Sequence, residues 1–180
     1  MQIINKPLSL KINGKMVGPV DLPEGISMLD FLHEYLNLTG TRMGCNQGIC
    51  HACVIIVDHP DGTSEEMRTC ITGAHFFNGK SVRTIEGIAK EERGKEIPSP
   101  IQQAFMDHFS FQCGYCTPGF VNATTVFMEK LAKEPIVEAQ LEQAILEALN
   151  PHICRCTGYV RYYEAVRDLV INTPGLIKSE

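Results

Sequence analysis

The sequence predicts an α+β chain in two parts: a strand-rich N-terminal domain over residues 1–89 and an all-helical domain over residues 101–180, joined by a linker at 90–100. Three observations carry this. Alternating and β-branched segments are confined to the first half, only helical periodicity follows residue 99, and the intervening Lys90–Pro100 stretch is polar and punctuated by proline.

The elements follow in order. Leu8-Ser9-Leu10-Lys11-Ile12 and Lys15-Met16-Val17 alternate around Asn13-Gly14, a hairpin signature. From Ser27, an N-cap residue, Met28, Leu29, Leu32, Tyr35 and Leu36 recur at helical spacing. Val54-Ile55-Ile56-Val57 is a β-branched run closed by Asp61-Gly62, and Ser81–Ile85 is a further strand. Beyond the linker, four helices are expected at about 99–109, 117–132, 137–149 and 158–171. Their inward faces are Ile101, Phe105 and Phe109; Phe120, Val121, Phe127 and Leu131; Leu141, Ile145 and Leu149; and Val160, Tyr163, Val166 and Leu169. Four such helices form a small four-helix bundle.

Of the 180 residues 44% are hydrophobic and 21% charged, which excludes a disordered chain. A net charge of −5 without a basic stripe argues against nucleic acid as a partner. No apolar run is long enough to span a bilayer, and Met1–Leu10 lacks the pattern of a secretory signal. A cytoplasmic location is expected, or a periplasmic one if the chain is exported together with a partner.

The cysteines are the anomaly. Cys45, Cys50, Cys53 and Cys70 fall in the first half, and Cys113, Cys116, Cys154 and Cys156 in the second. Two sets of four thiolates suit two tetrahedral-sulfur sites, whereas a disulfide framework needs neither this grouping nor pairs as close as Cys154 and Cys156. The first set reads C-x4-C-x2-C with a distant fourth cysteine, the plant-type spacing for a 2Fe-2S cluster. Gly44 and Gly48 permit the close approach and positive φ that a loop wrapping a cluster requires. With the strand and helix order, this points to a β-grasp, plant-type ferredoxin domain. The second set reads C-x2-C and C-x-C, with Thr117 and Thr157 as prospective N-caps and Pro118 at a first helical position. Cysteines so placed are held as thiolates. A zinc-stabilised protein-interaction module is the alternative that the residues leave open, and a free-standing two-cluster ferredoxin is another.

At Gly44–Cys53, Gln112–Gly119 and Cys154–Tyr159 the chain resembles the small iron-sulfur subunit of the molybdenum hydroxylases, the xanthine dehydrogenase and aldehyde oxidoreductase family. Ile12-Asn13-Gly14, Leu38–Arg42 and Thr84–Gly87 extend the likeness to nearly the whole chain. The resemblance implies two 2Fe-2S clusters: a distal one on Cys45, Cys50, Cys53 and Cys70, and a proximal one on Cys113, Cys116, Cys154 and Cys156. It also implies that Gln112 and Cys156 lie against the molybdopterin of a large partner subunit. The expected function is electron transfer within a complex that oxidises an aldehyde or hydroxylates an N-heteroaromatic ring. This chain is then non-catalytic, and a flavin subunit, a cytochrome subunit or an external acceptor lies downstream.

Two features depart from the family pattern. His51 stands where glycine is usual, and is read as a solvent-facing loop residue or, alternatively, as one that tunes the cluster. His59–Glu66 is read as an enlarged hairpin tip, either a tolerated insertion or a docking loop for an electron acceptor. His33, His75, His108 and His152 lack ligand-like spacing and are expected in helices, turns or interfaces. Arg155, between two thiolates, either offsets cluster charge or pairs with a partner carboxylate.

Overall fold

The computed structural model describes residues 4–178; the first three and last two residues, assigned above to the ends of the two domains, lie outside the described residues. Asn13-Gly14 turns β1 (Asn5–Ile12) into β2 (Lys15–Pro23), with Ile12 opposite Lys15. Ser27 caps the next element, its hydroxyl accepting the Asp30 N–H at 3.0 Å. The expected amphipathic helix is only partly α-helical. After α1 (Met28–Asp30) the chain widens into a π turn over Phe31–Tyr35. That wider turn rotates the apolar stripe, so Phe31 joins Met28, Leu29 and Leu32 in the core while Tyr35 is exposed.

β3 (Val54–Asp58), β4 (Ser64–Arg68) and β5 (Ser81–Arg83) complete a five-stranded sheet of order β2-β1-β5-β3-β4. β1 and β5 are parallel and the other pairs antiparallel, the β-grasp arrangement. The fifth strand is shorter than predicted, because Ile85–Gly87 forms a 3-10 turn whose Ile85 packs on the helical domain. Within 90–100, β6 (Lys90–Glu92) and β7 (Lys95–Ile97) pair as an exposed hairpin around Arg93-Gly94, both at positive φ.

The helical domain comprises α2 (Pro100–Asp107), α3 (Thr117–Lys133), α4 (Leu141–Leu149) and α5 (Val160–Asn172). A reciprocal capping box between Ser99 and Gln102 starts α2. Predicted inward positions differ at two places. Phe109 lies past the end of α2 at φ +49 and is 73% exposed. In α5 the buried set is Tyr162, Ala165, Val166 and Val170, while Val160 is exposed and Tyr163 only partly covered. The stripe is rotated because Tyr162 stacks on Phe120, centroids 4.1 Å apart, and its hydroxyl finds Thr117 Oγ1 at 2.8 Å.

Every residue from Val54 to Val57 is buried because β3 is covered on both faces. Ile55 and Val57 enter the N-terminal core, and α3 packs across the other side of β3 and β4. The helix sits so close that a Cβ on Gly119 would lie 2.6 Å from the His51 carbonyl oxygen. Asn122 Nδ2 donates to the Val54 carbonyl at 2.9 Å, supplying a buried polar anchor. At the far end Arg83 bridges Asp58 and Glu129, each at 2.7 Å.

Arg83→Met leaves two carboxylates facing each other across the domain junction. It is expected to cost about 2 kcal/mol, the modest figure suiting a part-exposed pair. Calorimetry of the cluster-loaded chain should register this as a fall of roughly 5 °C in Tm; an unchanged Tm would show that the bridge does not hold the domains.

Candidate metal centres

The first centre is built by a loop of tight turns. Asn46, Gly48 and His51 have φ of 54, 71 and 56°, which wind Cys45–Cys53 back on itself. Gly48 meets the expectation of positive φ. Gly44 serves by close approach alone, a Cβ there lying 2.8 Å from Cys50 Sγ. The winding aims backbone donors at one sulfur: the N–H groups of Gln47, Ile49 and Cys50 reach Cys45 Sγ at 3.3, 3.4 and 3.4 Å. Burial would raise the Cys45 pKa, but the N–H groups of Cys50, Gln47 and Ile49 outweigh it and bring the thiol down to about 6. Arg68 Nη1 donates to the Gly48 carbonyl at 3.1 Å and pins the loop to β4. Thr69 donates to the Cys53 carbonyl from its hydroxyl at 2.8 Å, which sets Cys70 beside Cys53. Burial, then the Cys53 thiol, pushes Cys70 up to about 11.

The four sulfurs stand as two contacting pairs, Cys45 with Cys50 and Cys53 with Cys70. The second centre repeats this with different elements. Cys113 and Cys156 have their sulfurs 3.6 Å apart, and Cys116 contacts Cys154. All eight cysteines are free thiols. Cys53 and Cys154 are buried, whereas Cys113 and Cys156 are exposed.

The helix-end expectation needs correction. Cys116 occupies the cap position of α3, Thr117 is its first helical residue, and Pro118 follows one place later than predicted. Burial, then Cys154, pushes Cys116 up to about 12 rather than down. Thr157 precedes Tyr159, the residue at the cap of α5, and turns its hydroxyl to Cys154 Sγ at 3.1 Å. There burial would raise the thiol, but the Thr157 hydroxyl and the N–H groups of Thr157 and Cys156 outweigh it and hold Cys154 below its ordinary value. Thiolate character thus comes from specific donors rather than from a helix dipole. Tyr162 underlies this centre, its hydroxyl 3.9 Å from Cys116 Sγ.

The two centres adjoin along the domain seam. The Ile153 N–H donates to the Cys50 carbonyl at 3.1 Å, linking a residue beside Cys154 directly to the first loop. Tyr115 Oη donates to the Met43 carbonyl at 2.8 Å. Gln112 and Arg155 are exposed at the rim of the second centre.

His51 does not face solvent. It is half-buried, its ring T-shaped against His152 at 5.0 Å between centroids, and burial followed by His152 lowers its pKa. The stretch read as an enlarged tip is shorter than expected, because Ser64–Glu66 already belong to β4. Only His59–Thr63 forms the turn, while Ser64 Oγ donates to Glu129 at 2.5 Å and Glu66 accepts from His152 Nε2 at 2.9 Å. Sequence reasoning missed the roles of Glu66, Arg68 and Tyr162 and read Thr157 only as an N-cap, and no local pattern marks these positions.

Four thiols in two contacting pairs, with N–H groups directed at sulfur, are a donor set suited to a two-iron cluster with two thiolates on each iron. Comparison with known proteins agrees. Residues 84–167 match the 2Fe-2S binding domain family and residues 11–80 the 2Fe-2S iron-sulfur cluster binding domain family. The chain is 35% identical over 174 residues to the nicotine 6-hydroxylase small subunit of Paenarthrobacter nicotinovorans, covering 96% of this chain and 92% of that one. It is 32% identical to the aldehyde oxidoreductase iron-sulfur-binding subunit PaoA of Escherichia coli K12, covering 96% and 73%. A chain of the crystal structure of quinoline 2-oxidoreductase from Pseudomonas putida 86 superposes with a TM-score of 0.77 at 31% identity, covering 96% and 93%.

In the metal-free chain, iodoacetamide should modify Cys45 first, at a rate that rises through about pH 6 and levels off by about pH 7. Cys70 and Cys116 should stay slow to about pH 9. Peptide mapping across this range checks the order, and Cys45 labelling that begins only above about pH 8 would refute the N–H cradle.

Proposed function

The chain belongs to the small iron-sulfur subunits of the molybdenum hydroxylases, and we propose that Cys45, Cys50, Cys53 and Cys70 hold one of its two 2Fe-2S clusters and Cys113, Cys116, Cys154 and Cys156 the other. It is a non-catalytic electron-transfer subunit of an oxidoreductase that works beside a large molybdopterin-bearing subunit. The clusters, when bound, supply one-electron redox steps. None of the described helices is long and apolar enough to cross a membrane.

The observation that carries the ligand assignment is the division of eight thiols into two sets, each of two contacting pairs. The residues around each set have definable work. The three N–H groups at Cys45 favour added negative charge at that sulfur, while burial of Cys70 and Cys116 opposes it at theirs. The Cys50–Ile153 hydrogen bond keeps the two ligand loops in contact.

In this reading Gln112 and Cys156 face the molybdopterin of the partner, so electrons enter at the second centre and leave from the first. Exposure of Gln112, Cys113 and Cys156, with Phe109, Phe111, Tyr159 and Val160 also exposed nearby in sequence, supports a partner-covered surface here. The downstream acceptor is a flavin subunit, a cytochrome subunit or an external carrier. The complex oxidises an aldehyde or hydroxylates an N-heteroaromatic ring, and works in the cytoplasm, or in the periplasm if a partner directs export.

Cluster-loaded protein should contain about four iron and four labile sulfide. Cys50→Ser should remove the first cluster's paramagnetic resonance signal and leave the second's, and loss of both from a folded chain would refute the ligand sets. Gln112→Ala should leave iron content unchanged and slow reduction of both clusters by substrate in the assembled complex roughly fivefold, the effect of losing a contact of about 1 kcal/mol. Unaltered rapid-mixing kinetics would remove Gln112 from the pterin interface.

A further inference from the structure

Between the two thiol centres lies a group of side chains that the cluster sites do not use. His51 follows Cys50 in the first loop, Glu66 is on β4, and His152 precedes Cys154 in the loop after α4. His152 is only 2% exposed, and the other two are half-buried. One ligand atom from each lies within 4.8 Å of those of the other two. Glu66 Oε2 accepts from His152 Nε2 at 2.9 Å but stands 4.0 Å from His51 Nδ1, beyond hydrogen-bond reach. His51 Nδ1 is buried and has no partner among the described residues. Leaving a buried ring nitrogen unsatisfied is costly.

We propose that His51, Glu66 and His152 form a binding site for a divalent zinc-type cation at the seam between the two domains. Two imidazole nitrogens and one carboxylate oxygen are a zinc donor set, whereas calcium and magnesium call for oxygen alone. Zinc bonds of about 2.0–2.1 Å in tetrahedral array put neighbouring ligand atoms about 3.3 Å apart. The 2.9 and 4.0 Å separations bracket that value, so closure needs the His51 ring to move by about 1 Å toward Glu66. A fourth position remains for water. Zinc takes the place of the proton that His152 Nε2 shares with Glu66, that ring then carrying its proton on Nδ1. The cation satisfies the orphaned His51 nitrogen and draws on both domains, since Glu66 and His152 come from opposite sides of the junction. It thereby ties the residue after Cys50 to the loop that carries Cys154, independently of either iron-sulfur centre.

The test uses the full chain with both clusters loaded and its iron and sulfide counted. After equilibrium dialysis against micromolar zinc and passage into metal-free buffer, wild type should retain one zinc per chain with iron undiminished, and its Tm should rise with zinc. His51→Gly suits the positive φ at that position and should not disturb the loop. It and Glu66→Gln should each keep their iron and lose zinc affinity by at least about tenfold. No retained zinc in wild type, zinc gained only as iron is lost, or equal retention by both variants would each overturn the site.

Discussion

The contact on which both thiol centres depend is the seating of α3 on the outer face of β3 and β4. The start of the helix can lie this close to the loop entering β3 only where its own side chain is absent, and Gly119 supplies that gap against the His51 carbonyl. The buried Asn122–Val54 hydrogen bond then fixes the helix along its axis, and Arg83 with Glu129 fixes its far end. With α3 held, Cys116 at its start is held too, and the loop carrying Cys154 is pressed against Cys50. Neither ligand loop has regular secondary structure of its own, so its geometry is inherited from this packing.

Charge at the two centres is managed locally. Burying a thiol raises its pKa, and at Cys70 and Cys116 that tendency prevails over weaker opposing hydrogen bonds. Cys45 and Cys154 escape it because hydrogen-bond donors converge on them: backbone N–H groups at the first, and the Thr157 hydroxyl with two N–H groups at the second. Each centre therefore contains at least one sulfur prepared for metal binding before the metal arrives. With the proposed ligand sets, the same donors would balance the charge of an anionic cluster.

The exposed rim at Gln112, Cys113 and Cys156 and the covered seam at His51, Glu66 and His152 divide the labour in space. One side of the second centre is open to a partner, and the opposite side is closed by the chain itself. An electron-transfer subunit needs both, since redox groups must approach a partner closely while water is kept from the path between them.

What the sequence determined by itself is whatever depends on short spacing. The positive-φ tolerance of Gly48, the Asn13-Gly14 hairpin, the Ser27 cap and the β-branched 54–57 run are local patterns, and the chain realises each of them. Cysteine arithmetic likewise separated two sets of four without a fold. Only tertiary structure decided the partners of residues distant in sequence. The rotated stripe of α5 follows from the Tyr162–Phe120 stack, and the raised Cys116 pKa follows from burial beneath neighbouring elements. The meeting of His51, Glu66 and His152 joins positions up to 101 residues apart, and no periodicity records it. The physical reason is that backbone propensity and loop winding act over a few residues. Desolvation and side-chain pairing act through space, on whatever the docking of α3 brings together.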